Sequence, residues 1–464
     1  MAAGHQIGFR SLDRELPPAQ LPVEGKFPSW LAGGLLRIGP AKFEAGSQGY
    51  RHWFDGLAML HRFGFADGEV TYTNRFLDSP AYRTARDTGT ITYSEFATDP
   101  CRTLFKRVAT AFLPPAFGNN ANVNIIRSGD EFLALTETPL PVKFAPGTLD
   151  TLGVAPPAPG QLTTAHPHRA PASGELASYA THFGPRSTYQ VYAQNGSGRR
   201  RVIARLAVRL PSYMHSFAIT ERYLVLVEFP FVVVPVAIPL LGRPFIANYR
   251  WRPGRGTRFQ VLDLNTGSSR TYHGEPFFAF HHVNAYEHGN EIILDACAYD
   301  NADIIDALYL DRLRSQDARL PEARLRRYRI PLGGGDVTRE PLPGITLELP
   351  RIDYGRRNGK PYRYAYGIGS ADGSFPDRIT KADLQDGTSA SWSEPGTYPG
   401  EPIFARAPDT EQEDAGVLLS VVLDPDAGTS FLLALDATDL SEIGRARVPH
   451  HIPFGFHGGY FPQA

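Results

Sequence analysis

HWFDGLAMLHRFGFADGEVTYTNRF, residues 52 to 76, decides how the chain is read. Two apolar runs flank Ala66-Asp67-Gly68, and Asp-Gly between alternating apolar residues is a strong short-range hairpin signal, because both turn positions accept a positive φ. The same form, a strand, a turn containing Gly, Asp or Asn, then a returning strand, recurs at 122–137 (NVNIIRSGDEFLALTE), 187–210, 259–273 and 430–448. Further strand-like runs are PSWLAGGLLRIGPAKF (28–43), YLVLVEF (223–229), EIILDACAY (291–299) and VLLSVVLD (417–424). Hairpins from end to end with no strict repeat favour a β-propeller or a large barrel over a sandwich. One helix is expected, over ADIIDALYLDRLRSQD (302–317), where Ile304, Ile305, Leu308 and Leu313 share an amphipathic face.

Composition narrows the classes. A chain of 464 residues exceeds one average domain, yet a closed β architecture absorbs such a length, so one large domain or two are both open. Its 45 Gly and 40 Pro are spread along the chain and imply many turns and few long helices. With 47 basic and 48 acidic residues the formal charge is -1, which gives no electrostatic reason to expect nucleic acid. Two cysteines, Cys101 and Cys297, exclude a disulfide framework and any CxxC motif. MAAGHQIGFRSLDREL at the N-terminus has no apolar h-region, so cytoplasmic residence is expected. The most apolar stretch, FPFVVVPVAIPLLG (229–242), is shorter than the roughly 20 residues of a spanning helix and is broken by Pro230, Pro235 and Pro239.

PFGFHGGYF (453–461) brings in the chemistry, because His457 joins three other histidines far apart in sequence: His166 in TAHPH, His215 in YMHSFAIT and His281 in FHHVNAYE. No local helical motif can unite them, but the inner strands of different propeller blades converge on one axis. Neutral imidazole suits Fe, Zn, Cu and Ni. Zinc with four protein ligands is normally closed and usually includes thiolates. Octahedral iron(II) with four histidines would keep two positions open, enough for dioxygen and a water, which points to oxygen chemistry.

The ordered motifs WLAGGLLRIGP, HWFDGLAMLHRF, EFATDPC, LTETPLPVKFAPGTLDTLG, TAHPH, MHSFAIT, FHHVNAYE, LELPRIDYGRRNGKPYRYAYG, EPIF and GFHGG run from about Pro28 to Phe461. As a set they resemble the carotenoid cleavage oxygenase family, in particular the branch of β-carotene oxygenases and retinoid isomerohydrolases. The resemblance implies one seven-bladed β-propeller domain over residues 1–464, with a dome of loops and helices above an axial Fe(2+) cofactor. It implies that His166, His215, His281 and His457 bind the metal. Glu137 in LTETP, Glu348 in LELPRIDY and Glu401 in EPIF match glutamates that accept hydrogen bonds from three of those imidazoles, fixing tautomer and ring direction. His168 and His282 are expected to support their neighbours, with His450 and His451 outside the metal set, and His52 and His61 to have structural or lining roles. Arg199-Arg200-Arg201 reads as a solvated hairpin tip, and Gly333-Gly334-Gly335 as a turn.

The same resemblance bears on substrate. Thr136 stands where stilbene-cleaving relatives carry a Lys, which disfavours a phenolic substrate. Val123 matches a small branched residue that crowds one open metal position, and Phe96, Tyr299 and Phe456 align with aromatic residues lining the substrate tunnel. The expected reaction is dioxygen-dependent cleavage of a conjugated double bond of a carotenoid or apocarotenoid to two carbonyl products, with central 15,15′ cleavage giving retinal favoured. Eccentric 9′,10′ cleavage, stilbene-type cleavage, redox-neutral retinoid isomerohydrolysis and non-catalytic carotenoid binding stay open. ATAFLPPAF (109–117) and FPFVVVPVAIPLLGRPF (229–245), with Lys106, Arg107 and Arg243 nearby, are candidates for a peripheral membrane surface. Cys101 in DPCR sits in a motif that animal relatives use for membrane association, but with Thr98 before Asp99 and Arg102 after the cysteine.

Overall fold

The turn at Asp67-Gly68 has φ of 53° and 83°, the pair of left-handed residues that a two-residue hairpin loop needs. It joins Leu57–Ala66 to Glu69–Phe76, which pair antiparallel from Met59 opposite Phe76 to Ala66 opposite Glu69. This computed structural model describes residues 4–99, 118–240, 243–340, 342, 344–370 and 373–464, without the side chains of residues 239 and 240. Among them, strands form seven sheets of four to six strands and two two-stranded ribbons. The seven sheets are the blades of a β-propeller, as the hairpin pattern and the resemblance lead one to expect.

Each blade presents one innermost strand or strand pair to the axis. In order round the ring, blade 1 presents Gly458–Phe461, blade 2 Asn124–Ser128, and blade 3 Leu162–Thr163 with His168–Arg169. Blade 4 presents Ala218–Ile219, blade 5 Phe278–His288, blade 6 Glu348–Arg351, and blade 7 Tyr398–Pro399 with Ile403–Arg406. Middle strands such as Gly33–Lys42 and Gly416–Asp424 are largely buried, because neighbouring blades pack on both of their faces. Outer strands such as Arg200–Val208 and Thr388–Trp392 are more exposed, and Arg200, Arg201 and Arg205 on the first and Thr388, Ser389 and Ser391 on the second help to blunt their free edges.

The ring is closed twice. Gly458–Phe461, from the far end of the sequence, pairs with Gly33–Lys42 in blade 1. Val23–Gly25, from the near end, pairs with Glu442–Val448 in blade 7. Blades 1 and 7 therefore each contain strands from both ends of the sequence, and separating those ends would unpair two sheets.

The helix expected over 302–317 is two short helices, Asp303–Ala307 and Leu310–Leu313. Leu308 and Tyr309 interrupt it because their neighbourhood bonds elsewhere: Leu308 O accepts from Trp53 N at 3.1 Å, and Leu310 N donates to Arg51 O at 2.9 Å. Ile304, Ile305, Leu308 and Leu313 are nonetheless all buried. A helix the pattern analysis passed over, Pro80–Thr88, carries ordinary signals: Ser79 caps it, Pro80 opens it, and Gly89 ends it at φ 63°. Arg200 is less free than a solvated tip, bonding Gln194 and the carbonyls of Pro156 and Pro157. Among the described residues no helix is long and apolar enough to cross a membrane. Phe229, Phe231, Val232 and Val233 are buried, leaving Val234 and Val236 exposed in that stretch. Residues 109–117, Lys106, Arg107, Cys101 and Arg102 lie outside the described residues, whereas Cys297 is a buried free thiol.

A Cβ on Gly458 would run into the Leu36 carbonyl oxygen across the closing strand pair. Gly458→Val is therefore expected to cost about 1–3 kcal/mol, the usual range for overpacking, read as a lower denaturant midpoint. An unchanged midpoint would mean that this closure is not tightly packed.

Candidate metal centre and adjoining cavity

Three of the four histidines lie just outside innermost strands, and the fourth lies within one. His166 lies between the two inner strands of blade 3, His215 precedes Ala218–Ile219 in blade 4, and His457 precedes Gly458–Phe461 in blade 1. His281 lies inside Phe278–His288, where the pairing register shifts on both sides of His282. Such a bulge re-aims side chains at the rim of a sheet.

One ring nitrogen from each of the four lies within 4.8 Å of all the others. The Nε2 atoms of His166 and His215 are 2.9 Å apart, and those of His281 and His457 are 3.1 Å apart. Four nitrogens about 2.1 Å from a shared cation would stand about 3.0 Å apart as neighbours and about 4.2 Å apart when opposite. The donor set therefore fits one metal ion. His215, His281 and His457 are buried and His166 partly so. Burial, with the neighbouring imidazoles, holds His166 and His457 well below the ordinary imidazole range. They are neutral, the form that ligates metals.

Three of the rings are oriented by carboxylates. The Nδ1–H groups of His215, His281 and His457 donate to Glu137 (2.8 Å), Glu348 (2.6 Å) and Glu401 (2.7 Å). With Nδ1 carrying the proton, each Nε2 lone pair points at the common centre. Among the described residues His166 has no carboxylate partner. Its position is set instead by its backbone N–H, 2.9 Å from Thr164 Oγ1, whose hydroxyl donates to His215 O at 2.7 Å.

The carboxylates are held in turn by residues that, Tyr299 apart, have no named place in the sequence reading. Tyr213 donates to both oxygens of Glu137, at 3.0 and 3.1 Å. Tyr299 donates to Glu348 at 3.0 Å, and Leu349 N at 2.7 Å. Burial and the adjacent carboxylates push both phenols well above their usual range, so they remain neutral donors. Arg37 and Arg351 both pair with Glu401. Glu348 does not sit in a plain alternating strand: Leu349 has a φ of 50° and the register shifts before Arg351. That left-handed residue turns its N–H back onto the carboxylate.

A mostly apolar cavity opens beside the cluster. His215, His281 and His457 form part of its wall, with Val123, Tyr299 and Phe456 from the sequence reading. Val123 O accepts from His457 N at 3.2 Å, which ties the two backbones together, and both residues line the cavity. Trp53, Phe54 and Phe280 also line the cavity and were not singled out, although HWFDG and FHH placed them next to named residues. Phe96 does not line it; its ring packs behind Phe54, with centroids 5.1 Å apart. Thr136 lines a separate, more polar cavity between blades 2 and 3.

The remaining histidines are elsewhere. His168 bonds Phe217 O and Tyr354, and His282 bonds Ser216. His52 caps the turn Trp53–Asp55 and donates to Ile305 O at 3.0 Å, while His61 bonds Tyr72 at 2.9 Å. Burial takes His52, His61 and His282 down to about 3, and His168 to about 4, so these rings are neutral structural groups.

Comparison with known proteins agrees with this geometry. The family model described as retinal pigment epithelial membrane protein (RPE65) matches residues 9–462. A carotenoid isomerooxygenase of Galleria mellonella is 35% identical, covering 98% of this chain and 96% of its own. A mitochondrial carotenoid-cleaving dioxygenase of Macaca fascicularis is 35% identical, covering 95% and 91%. Among solved structures, a mutant of the Synechocystis apocarotenoid oxygenase superposes with a TM-score of 0.89 at 27% identity, covering 99% of this chain and 98% of that one. A cobalt-substituted form of the Synechocystis enzyme superposes at 0.87 and 26% identity, with the same coverage. A chain with this propeller, this convergence of imidazoles and these relatives over nearly its whole length belongs to the RPE65 family of carotenoid oxygenases.

Proposed function

We propose that the protein is a non-haem iron(II) dioxygenase that cleaves a conjugated C=C bond of a carotenoid or apocarotenoid, with central 15,15′ cleavage giving retinal. The observation that carries this reading is the convergence of four imidazoles on one point, three of them in the wall of a mostly apolar cavity. The sum is balanced without another reductant: the C=C and O–O bonds break, and each alkene carbon ends as an aldehyde bearing one oxygen atom. His166, His215, His281 and His457 would hold the iron, which when bound supplies the activation of dioxygen that no side chain provides.

The chain's own part is placement. Glu137, Glu348 and Glu401 keep the Nδ1 protons in place and the Nε2 lone pairs free. Phe54, Phe280 and Phe456 offer ring faces and edges to a flat polyene and leave little room for water. Val123 narrows the space next to His457. Apolar walls suit a substrate that has no hydrogen-bonding group near the bond to be cut.

The 35% identical relative named carotenoid isomerooxygenase favours a second reading, in which cleavage is accompanied by double-bond isomerisation. The geometric isomer of the product separates the two readings.

Incubated with all-trans β-carotene in detergent, the iron-loaded protein is expected to yield retinal only when dioxygen is present, with label from 18O2 in both aldehydes. A longer apocarotenal would move the assignment to eccentric cleavage; product without dioxygen would replace the oxygenase with a redox-neutral enzyme. His281→Ala is expected to lose both bound iron and turnover, and full iron content in that variant would remove the metal assignment. Glu348→Gln is expected to weaken metal binding about 10- to 100-fold, the usual effect of removing a carboxylate behind a ligating histidine, measured by competition with a chelator.

A further inference from the structure

The three carboxylates behind the imidazoles are alike in role but not in surroundings. Glu137 is bonded by a phenol, Tyr213, and Glu348 by a phenol and a peptide N–H, from Tyr299 and Leu349. These are neutral donors, which leave the negative charge on the carboxylate. Glu401 instead lies between two cations: Arg37 pairs with one oxygen, and Arg351 Nε reaches the other at 2.8 Å. Arg37 and Glu401 are both buried, where little water screens their attraction. Among the described residues His166 has no carboxylate at all.

A carboxylate that accepts an imidazole N–H pushes electron density through the ring to the opposite nitrogen, and less so when its charge is already matched by guanidinium groups. We infer that the four imidazoles are electronically ranked by the groups one bond further out. His215 and His281 are the strong donors, His457 is weakened by Arg37 and Arg351, and His166 is the weakest. This rests on reading the four histidines as a metal centre.

The two arginines also fix where His457 stands. Arg37 Nη2 donates to Phe456 O at 3.0 Å, and Arg351 Nη2 to Gly458 O at 2.8 Å. The backbone is thus gripped on both sides of His457, and its Nδ1–H is received by the carboxylate that the same guanidiniums hold. Arg37 belongs to blade 1, Arg351 to blade 6 and Glu401 to blade 7. One ion triad therefore ties three blades together at the closure and sets both the position and the donor strength of the ligand that closure supplies. Arg37 and Arg351 are positioning residues, as are Tyr213 and Tyr299 for their own histidines.

The test is proton NMR of the full chain loaded with cobalt(II), whose unpaired electrons shift the ligand Nδ1–H resonances out of the bulk spectrum. Three exchangeable shifted signals are expected from the protons held by Glu137, Glu348 and Glu401. Arg351→Met should move one of them, that of His457, toward the other two. Arg351→Lys, which restores the charge, should move it part of the way back. Tyr213→Phe should move only the signal of His215, and Tyr299→Phe only that of His281. Movement of all three signals together in each variant, or of none, would overturn the ranking and leave the outer groups with structural roles alone. Failure of the unaltered protein to bind cobalt through imidazole would remove the metal centre itself, a distinct result from an unranked centre that binds it.

Discussion

Four imidazole lone pairs aimed at one point repel each other until a cation stands between them, and the propeller is what keeps them there. Their nitrogens lie within 4.8 Å of one another although they come from residues 166, 215, 281 and 457. No short motif could withstand that repulsion, since nothing would prevent its side chains from turning away. Here each ring leaves an innermost strand, or the residues beside one, that is hydrogen-bonded into a blade. Each blade is packed between two others, and the ring has no free edge along which to relax. Carboxylates on three of the rings remove the remaining rotation. The cost of assembling the site is spread over the whole molecule.

The cavity beside it depends on a further buried acid. Asp55 is fully buried, and burial pushes its carboxyl up to about 6. It accepts from His52 N at 3.2 Å, Ala97 N at 3.0 Å and Thr98 Oγ1 at 2.6 Å, fixing the turn that carries Trp53 and Phe54. Trp53 is tethered further by its indole N–H, 2.9 Å from Phe454 O. Phe54 then stands 6.2 Å from the His215 ring and 5.1 Å from Phe456. The hairpin that betrays the fold in the sequence thus also delivers two walls of the cavity, and the aromatic rings are placed by polar contacts made behind them.

What the sequence makes legible follows the range of each signal. Turn chemistry is local, so the Asp67-Gly68 hairpin and its kin can be read, and with them a ring of antiparallel sheets. The four histidines and three glutamates can be read because each sits in a distinctive motif. Tyr213, Arg37 and Arg351 could not, because what matters about them is a contact with Glu137 or Glu401 across many residues of chain, which no spacing reports. Phe96 illustrates the converse: its place in a motif says nothing of which way its ring turns, and the ring packs on Phe54 without joining the cavity lining. The break at Leu308 and Tyr309 has the same origin, since the helical pattern is intact and only the backbone bonds to Arg51 and Trp53 interrupt it.

The closing strand Gly458–Phe461 has a bearing on how the protein is made. During synthesis the ribosome delivers the strands of blades 2 to 6, and even His166, His215 and His281, well before His457. Until then blade 1 lacks its axial strand, Glu401 lacks the imidazole it orients, and three nitrogens offer an incoming ion an open half-site. The complete four-nitrogen pocket exists only after nearly all of the chain has been translated. Completion of the pocket is therefore coupled to ring closure rather than to the growth of the nascent chain, and a product terminated before residue 457 cannot form it.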